Sequence, residues 1–124
     1  MSNWAVTPRR VDKPWGYELI WAESEIYVGK VLFVRAGQAL SLQYHEQKDE
    51  SWLVQSGRAS LELGLVGGPL ETTEISAGDA FRYRPGTVHR VTAIEDTTIL
   101  EVSTPHLDDV VRLDDRYGRP ERDS

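Results

Sequence analysis

GQALSLQYHEQKDESWLVQSG, residues 37–57, is the stretch on which the fold reading turns. It contains two short runs of strand type, Ala39–His45 and Ser51–Ser56, bounded by the turn pairs Ala36-Gly37 and Ser56-Gly57. Successive strand residues point to opposite faces, so Ser41, Gln43 and His45 share one side and Leu40, Leu42 and Tyr44 the other. On the second run Glu50, Trp52 and Val54 share a face, which puts a carboxylate at the head of an inward apolar row. Burying that carboxylate unpaired is costly, so a partner is expected for it.

Working outward, the same grammar repeats. Gly16–Ala22, Tyr27–Arg35, Arg58–Leu65, Glu71–Ile75, Ala80–Tyr83, His89–Ala93 and Thr98–Ser103 read as further strands. Gly67-Gly68-Pro69, Ala77-Gly78-Asp79 and Pro85-Gly86 supply turns between them. Many short strands at regular spacing predict an all-β sandwich or barrel. No amphipathic helical pattern exceeds about two turns. Only Leu107–Tyr117 is expected to hold a helical turn, with Asp108 and Asp109 favouring its N-terminus, and DDRYGRPERDS reads as an arm or frayed end. The expected layout is one domain over residues 1–124, with the barrel at about 14–105 and a C-terminal arm at about 106–124.

Composition excludes several kinds of chemistry. A chain of 124 residues removes roughly two-thirds of its unfolded surface from water, enough for a core without staples. With no cysteine, disulfide frameworks, Cys-ligated zinc, iron–sulfur clusters and thiol catalysis are out. Fourteen Lys+Arg against 20 Asp+Glu give a net charge of -6, the wrong sign for a domain that grips nucleic acid through phosphates. An anionic small substrate would need a local basic pocket. The opening MSNWAVTPRRVDKPWG lacks an apolar signal core, and no run approaches the roughly 18 apolar residues of a membrane span, so a soluble cytoplasmic protein is expected.

Three histidines are present, His45, His89 and His106. In the first stretch Gln43 and His45 are separated by one residue, and Glu50 follows His45 after four. A second stretch, GDAFRYRPGTVH at 78–89, runs from Gly78 through Arg84-Pro85-Gly86 to His89. Together these resemble the paired motifs of the cupin superfamily, a small double-stranded β-helix (jelly-roll) barrel holding one divalent metal on side chains of both motifs. The resemblance covers nearly the whole chain. It departs at Gln43, which takes the first histidine position, at Arg84, where the motif has a proline, and at Ala93, where it often has asparagine.

Gln-x-His followed by Glu is similar to phosphomannose isomerases, in which the glutamine is itself a zinc ligand. KPWGYELIW at Lys13–Trp21, AGQALSLQYH, and DDVVRLDDRYGR at Asp108–Arg119 resemble the opening, core and ending of the cupin domain of type II mannose-6-phosphate isomerases. The nucleotidyltransferase domain often fused ahead of that cupin is absent from this sequence. The resemblance implies Gln43, His45, Glu50 and His89 as ligands of a single divalent ion, Zn first, with Mn, Fe, Ni or Co fitting the same donors. It also implies interconversion of mannose-6-phosphate and fructose-6-phosphate.

That reaction moves a proton between C2 and C1 and needs a general base. The candidates are Glu18, Lys30, His106 and a metal-bound water. Alternation sets Lys30 with Leu32 and Val34, and His89 with Val91 and Ala93, so both can line one cavity. For the phosphate, Lys13 beside Trp15, with Arg84, Arg116 and Arg119, are the expected contacts, and Arg82 and Arg90 are further cations near the second motif. For Arg116 and Arg119 the competing reading is a structural ion pair with Asp114 or Asp115. Trp15 and Trp52 either line the mouth or pack the barrel. A homodimer through strand exchange or sheet packing is expected, with no nucleic acid or membrane partner. The competing readings are a non-catalytic sugar- or metabolite-binding cupin, a glucose-6-phosphate isomerase, and an iron-dependent dioxygenase.

Overall fold

The structure, a computed structural model, describes residues 3–122. The last two residues of the expected arm lie outside them. β1 (Arg9–Lys13), β2 (Gly16–Glu23), β3 (Val28–Val34), β10 (Thr97–Ser103), β5 (Glu50–Ser56) and β8 (Ala80–Tyr83) form a six-stranded sheet, hydrogen-bonded in that order. β11 (Val111–Asp114), β4 (Leu42–Tyr44), β9 (Thr87–Ala93), β6 (Arg58–Leu65) and β7 (Leu70–Ser76) form a five-stranded one. The strand pairings within both sheets are antiparallel. Among the described residues none is helical, and no helix is long and apolar enough to cross a membrane.

The predicted inward rows fill the space between the sheets. Leu32 and Val34 of β3, Trp52 and Val54 of β5, Val91 and Ala93 of β9, and Ile99 of β10 are all buried in one cluster with Leu61, Ile75 and Tyr83. Trp52 meets Tyr83 edge-on at 5.0 Å between ring centroids. At the head of this core, the same alternation sets charges inward: Lys30 on β3, Glu50 on β5 and Glu101 on β10 are each at most 5% exposed. Polar groups so placed persist only when partnered.

Two sharp turns set the frame. Gly57 joins β5 to β6 with φ of 92°, and a Cβ there would lie 2.2 Å from Asp96 O. Gly16 opens β2 directly against β3, where a Cβ would meet Phe33 O at 1.8 Å. The hairpin it permits, β1–β2 around Pro14-Trp15, was not among the predicted strands for its first half; RRVDK offers a single apolar residue and earns its place by pairing with β2.

The expected helical turn at Leu107–Tyr117 is replaced by β11. Val110 and Val111 are β-branched strand formers, and β11 pairs antiparallel with β4, Val111 opposite Tyr44 and Arg112 opposite Gln43. Without it, β4 would be an open sheet edge. Nor is Ala39–His45 one continuous strand. Ala39 bridges Thr92, and Leu40 N–H donates to Val91 O at 3.0 Å before the ladder of β4 begins. Leu40 and Ser41 are therefore both buried, against strict alternation.

Candidate metal centre

The two sheets bring His45, Glu50 and His89 together from opposite sides. Gln43 of β4 lies directly across from His89 of β9 in the five-stranded sheet. Glu50 enters from the six-stranded sheet as the first residue of β5, between Tyr83 of β8 and Ser103 of β10. His45 follows β4. Its Nε2 lies 3.3 Å from Glu50 Oε1, and His89 Nε2 lies 3.0 Å from the same oxygen. His45, Glu50 and His89 can hold a metal ion: one donor atom from each lies within 4.8 Å of the others.

Hydrogen bonds on the far side of each ring decide what these nitrogens offer. His45 Nδ1–H donates to the backbone carbonyl of Asp109, and His89 Nδ1–H donates to Thr87 O at 3.0 Å. A carbonyl can only accept, so both rings carry their proton on Nδ1, and in the neutral form both Nε2 lone pairs point inward. His89 Nε2 is buried and makes no hydrogen bond of acceptable geometry, although Glu50 Oε1 is 3.0 Å away. Two lone pairs and a carboxylate oxygen thus face one another, which is stable only with a proton or a cation between them. Backbone carbonyls that fix the outer nitrogen are the usual support for metal-ligating histidines. The residues fit a divalent ion.

Aromatic rings lock the geometry. Tyr83 stacks on His89 at 4.2 Å and 10°, and Trp52 meets His89 edge-on at 5.6 Å. Gln43 Oε1 accepts a hydrogen bond from Ser41 Oγ at 2.6 Å, which leaves the amide oxygen a second lone pair.

A buried chain of alternating charge runs away from the cluster. Lys48 Nζ is 2.9 Å from Glu50 Oε2 and 3.3 Å from Glu101 Oε2; Lys30 Nζ is 4.0 Å from Glu101 Oε2 and 3.3 Å from Glu18 Oε2. Trp52 Nε1–H donates to Glu101 Oε1 at 3.0 Å. Burial pushes the Glu50 carboxyl up, but the Lys48 ammonium and, in their protonated form, the two imidazoles outweigh it and hold Glu50 well below the usual carboxylate range. Glu101 is pushed up, by burial first and then by Glu50. Burial alone would lower Lys48, yet the two carboxylates win and raise it, so its ammonium stays protonated and is unsuited to accept a proton.

Beside the cluster lies a cavity of about 70 Å³ whose walls include Lys13, Trp15, Glu18, Lys30, Gln43, His45 and Lys48; of the three clustered residues, His45 lines it and Glu50 and His89 do not. A neighbouring hollow of about 170 Å³ shares Lys13, Glu18, Lys30 and Leu107, so the two form one trough. Of the predicted phosphate contacts, Lys13, Trp15 and Arg119 line this trough. Trp15 is also a core residue, 2% exposed, so it serves both of its expected uses; Trp52 packs the barrel. Arg84 and Arg116 do not line it: Arg84 is exposed in the turn before β9, and Arg116, also exposed, donates to Gly37 O at 2.7 Å. Arg119 is held in a fork by Asp115, with both bonds at 2.9 Å. Arg82 pairs with Asp49 and Arg90 with Glu62 and Asp114, at the surface.

Among the base candidates, Glu18 and Lys30 share the trough, whereas His106 lies outside its walls, its Nδ1 2.9 Å from Thr104 Oγ1. Sequence reasoning missed Lys48, Glu101 and Asp109. Glu101 was readable, since Thr97, Ile99, Glu101 and Ser103 alternate inward on β10. Lys48 sits in the charged run HEQKDE, and nothing there distinguishes it from a solvated side chain. The Asp109 carboxylate accepts the backbone N–H groups of Glu46, Gln47 and Lys48 at 3.1, 2.6 and 2.8 Å. Burial works against its ionisation, but these donors hold it below the usual range.

The profile of a family described as "Mannose-6-phosphate isomerase C-terminal" matches residues 2–115. The mannose-1-phosphate guanylyltransferase ManC of Salmonella typhimurium is 35% identical over 117 residues, 90% of this chain and 23% of that protein. The xanthan biosynthesis protein XanB of Xanthomonas campestris is 34% identical over 116 residues, 90% of this chain and 24% of its own. The chain thus spans less than a quarter of the length of these curated relatives. Among solved structures, a Klebsiella pneumoniae protein with a double-stranded β-helix domain superposes with a TM-score of 0.63 at 24% identity, covering 93% of this chain and 90% of that one. That likeness bears on the fold.

Proposed function

The chain belongs to the mannose-6-phosphate isomerase C-terminal family, and from that premise we propose that it holds one divalent ion on Gln43, His45, Glu50 and His89 and interconverts mannose-6-phosphate and fructose-6-phosphate. The observation that supports this most is the pair of Nδ1–H donors on His45 and His89, which leaves both Nε2 atoms facing Glu50 Oε1. Two nitrogens and two oxygens suit zinc, and Mn, Fe, Co or Ni fit the same set. When bound, the ion supplies Lewis-acid stabilisation of the charge that develops on sugar O1 and O2.

The remaining work falls to the chain's own side chains. Glu18, 3.3 Å from Lys30 and lining the trough, takes the proton from C2 of the aldose and returns it to C1. The hydroxyl proton passes from O2 to O1, so no atom is gained or lost. Lys13, which has no ion-pair partner among the described residues, receives the phosphate with Arg119 on the same wall. These few cations act against the overall charge of -6. The reading includes a cytoplasmic setting, a homodimer, and no nucleic-acid or membrane partner.

A second reading, a non-catalytic sugar-phosphate-binding module, is favoured by the relatives' own names. ManC is named for guanylyl transfer, a different reaction, and this chain matches only 23% of it. Mannose-6-phosphate deuterated at C2 separates the two. The isomerase forms fructose-6-phosphate with a primary isotope effect on the rate. Saturable binding of the sugar with neither product nor loss of deuterium assigns the chain to the second reading.

A further inference from the structure

We propose that Asp109, in the C-terminal segment, is a positioning residue of the metal centre, and that docking of this segment and binding of the ion reinforce one another. The inference rests on the metal reading above. Asp109 lies 64 residues from His45 along the chain, yet it holds the ligand loop in two ways at once. Its backbone carbonyl accepts His45 Nδ1–H, and its carboxylate accepts three successive backbone N–H groups, those of Glu46, Gln47 and Lys48.

Each contact acts on a group facing the ion site. The carbonyl selects the tautomer of His45 whose Nε2 bears a lone pair; a ring freed from it can place the proton on Nε2, where it cannot ligate. The three N–H bonds fix the backbone from which Lys48 reaches Glu50 Oε2 and Glu101 Oε2. Leu107 and Val110, on either side of Asp109 in the chain, form part of the cavity wall, so the docking that orients His45 also closes the trough. An ion that prefers the docked arrangement must stabilise it by the same factor by which docking strengthens ion binding.

The test uses the full chain with Co(II) or Zn(II) as the probe. Asp109→Asn keeps the backbone carbonyl but replaces an acceptor oxygen by an amide that faces N–H groups. Its ion dissociation constant is expected to rise about 10- to 100-fold, the range for residues that orient metal ligands, and the Co(II) absorption spectrum to change. Asp79→Asn serves as the control, because Asp79 also accepts a backbone N–H, from Ser76 at 2.9 Å, but outside the site; it should bind the ion as wild type does. A measurement on wild type needs no variant: hydrogen exchange at the Glu46, Gln47 and Lys48 amides should slow at least several-fold when the ion is added. Unchanged affinity in folded Asp109→Asn, or unchanged exchange at these amides, overturns the inference while the metal site stands. A wild-type chain that binds no ion overturns the metal reading itself, and the coupling with it.

Discussion

Lys48 Nζ lies 2.9 Å from Glu50 Oε2, so the carboxylate oxygen that the two histidines do not face is occupied by an ammonium. The same ammonium is 3.3 Å from Glu101 Oε2. It therefore neutralises two buried carboxylates and presents Glu50 to the histidines through a single oxygen.

Replacing Lys48 by Met should leave both carboxylates buried without their shared cation. Breaking a buried pair in this way costs about 3–5 kcal/mol, read as a lower midpoint in urea unfolding. Lys48→Arg keeps the charge and should recover part of the loss. Equal stability of Lys48→Met and wild type would mean that Glu50 and Glu101 are not both ionised in the folded chain.

Glu18→Gln removes the proposed base without touching the ion donors. Turnover of mannose-6-phosphate should fall by about 10²- to 10⁴-fold while bound metal, measured on the same sample, stays at the wild-type level. Retained turnover would assign proton transfer to another group.

Acid should release the tail. Asp115 accepts the fork of Arg119, and this holds its carboxyl below the ordinary value of 3.8 despite opposing burial. A depressed folded-state pKa means that the unfolded chain binds more protons in this window. The stability contributed is complete above the ordinary value and is lost as pH falls below about 3.8 toward the folded-state pKa. Urea unfolding between pH 5 and pH 2 should show a shallower acid loss for Asp115→Asn than for wild type.

Gly16→Ala should be among the most damaging single changes. Its Cβ would lie 1.8 Å from Phe33 O, a backbone atom that cannot swing aside. The β1–β2 hairpin would then have to separate from β3, taking Lys13, Trp15 and Glu18 away from the trough. A loss of about 3 kcal/mol or more is expected, and circular dichroism during thermal unfolding would record it.

The parts of the architecture set by alternation were legible. Leu32 and Val34, Trp52 and Val54, and Val91 and Ala93 form rows whose period of two forces them inward, and Lys30, Glu50 and His89 lie on the same rows. What was hidden depends on contacts between distant segments. Asp108 and Asp109 suggest a helix N-terminus because carboxylates accept free backbone N–H groups. Asp109 does accept three, but they belong to residues 46–48. Lys48 follows His45 in a loop, where no period operates, so its burial could not be inferred. The arginines divide for a related reason: Arg84 and Arg116 lie near the motifs in sequence, yet local turns carry them away from the trough.

The most direct test of the account is turnover before and after restoring the ion. The full chain, stripped by chelation and dialysis, is assayed for fructose-6-phosphate formed from mannose-6-phosphate, then assayed again after one equivalent of Zn(II), Mn(II) or Co(II). The account predicts no product from the stripped chain and recovery of turnover at one ion per chain, with no recovery in His89→Ala. Turnover that is the same with and without the ion, or absent from the loaded chain, would contradict it.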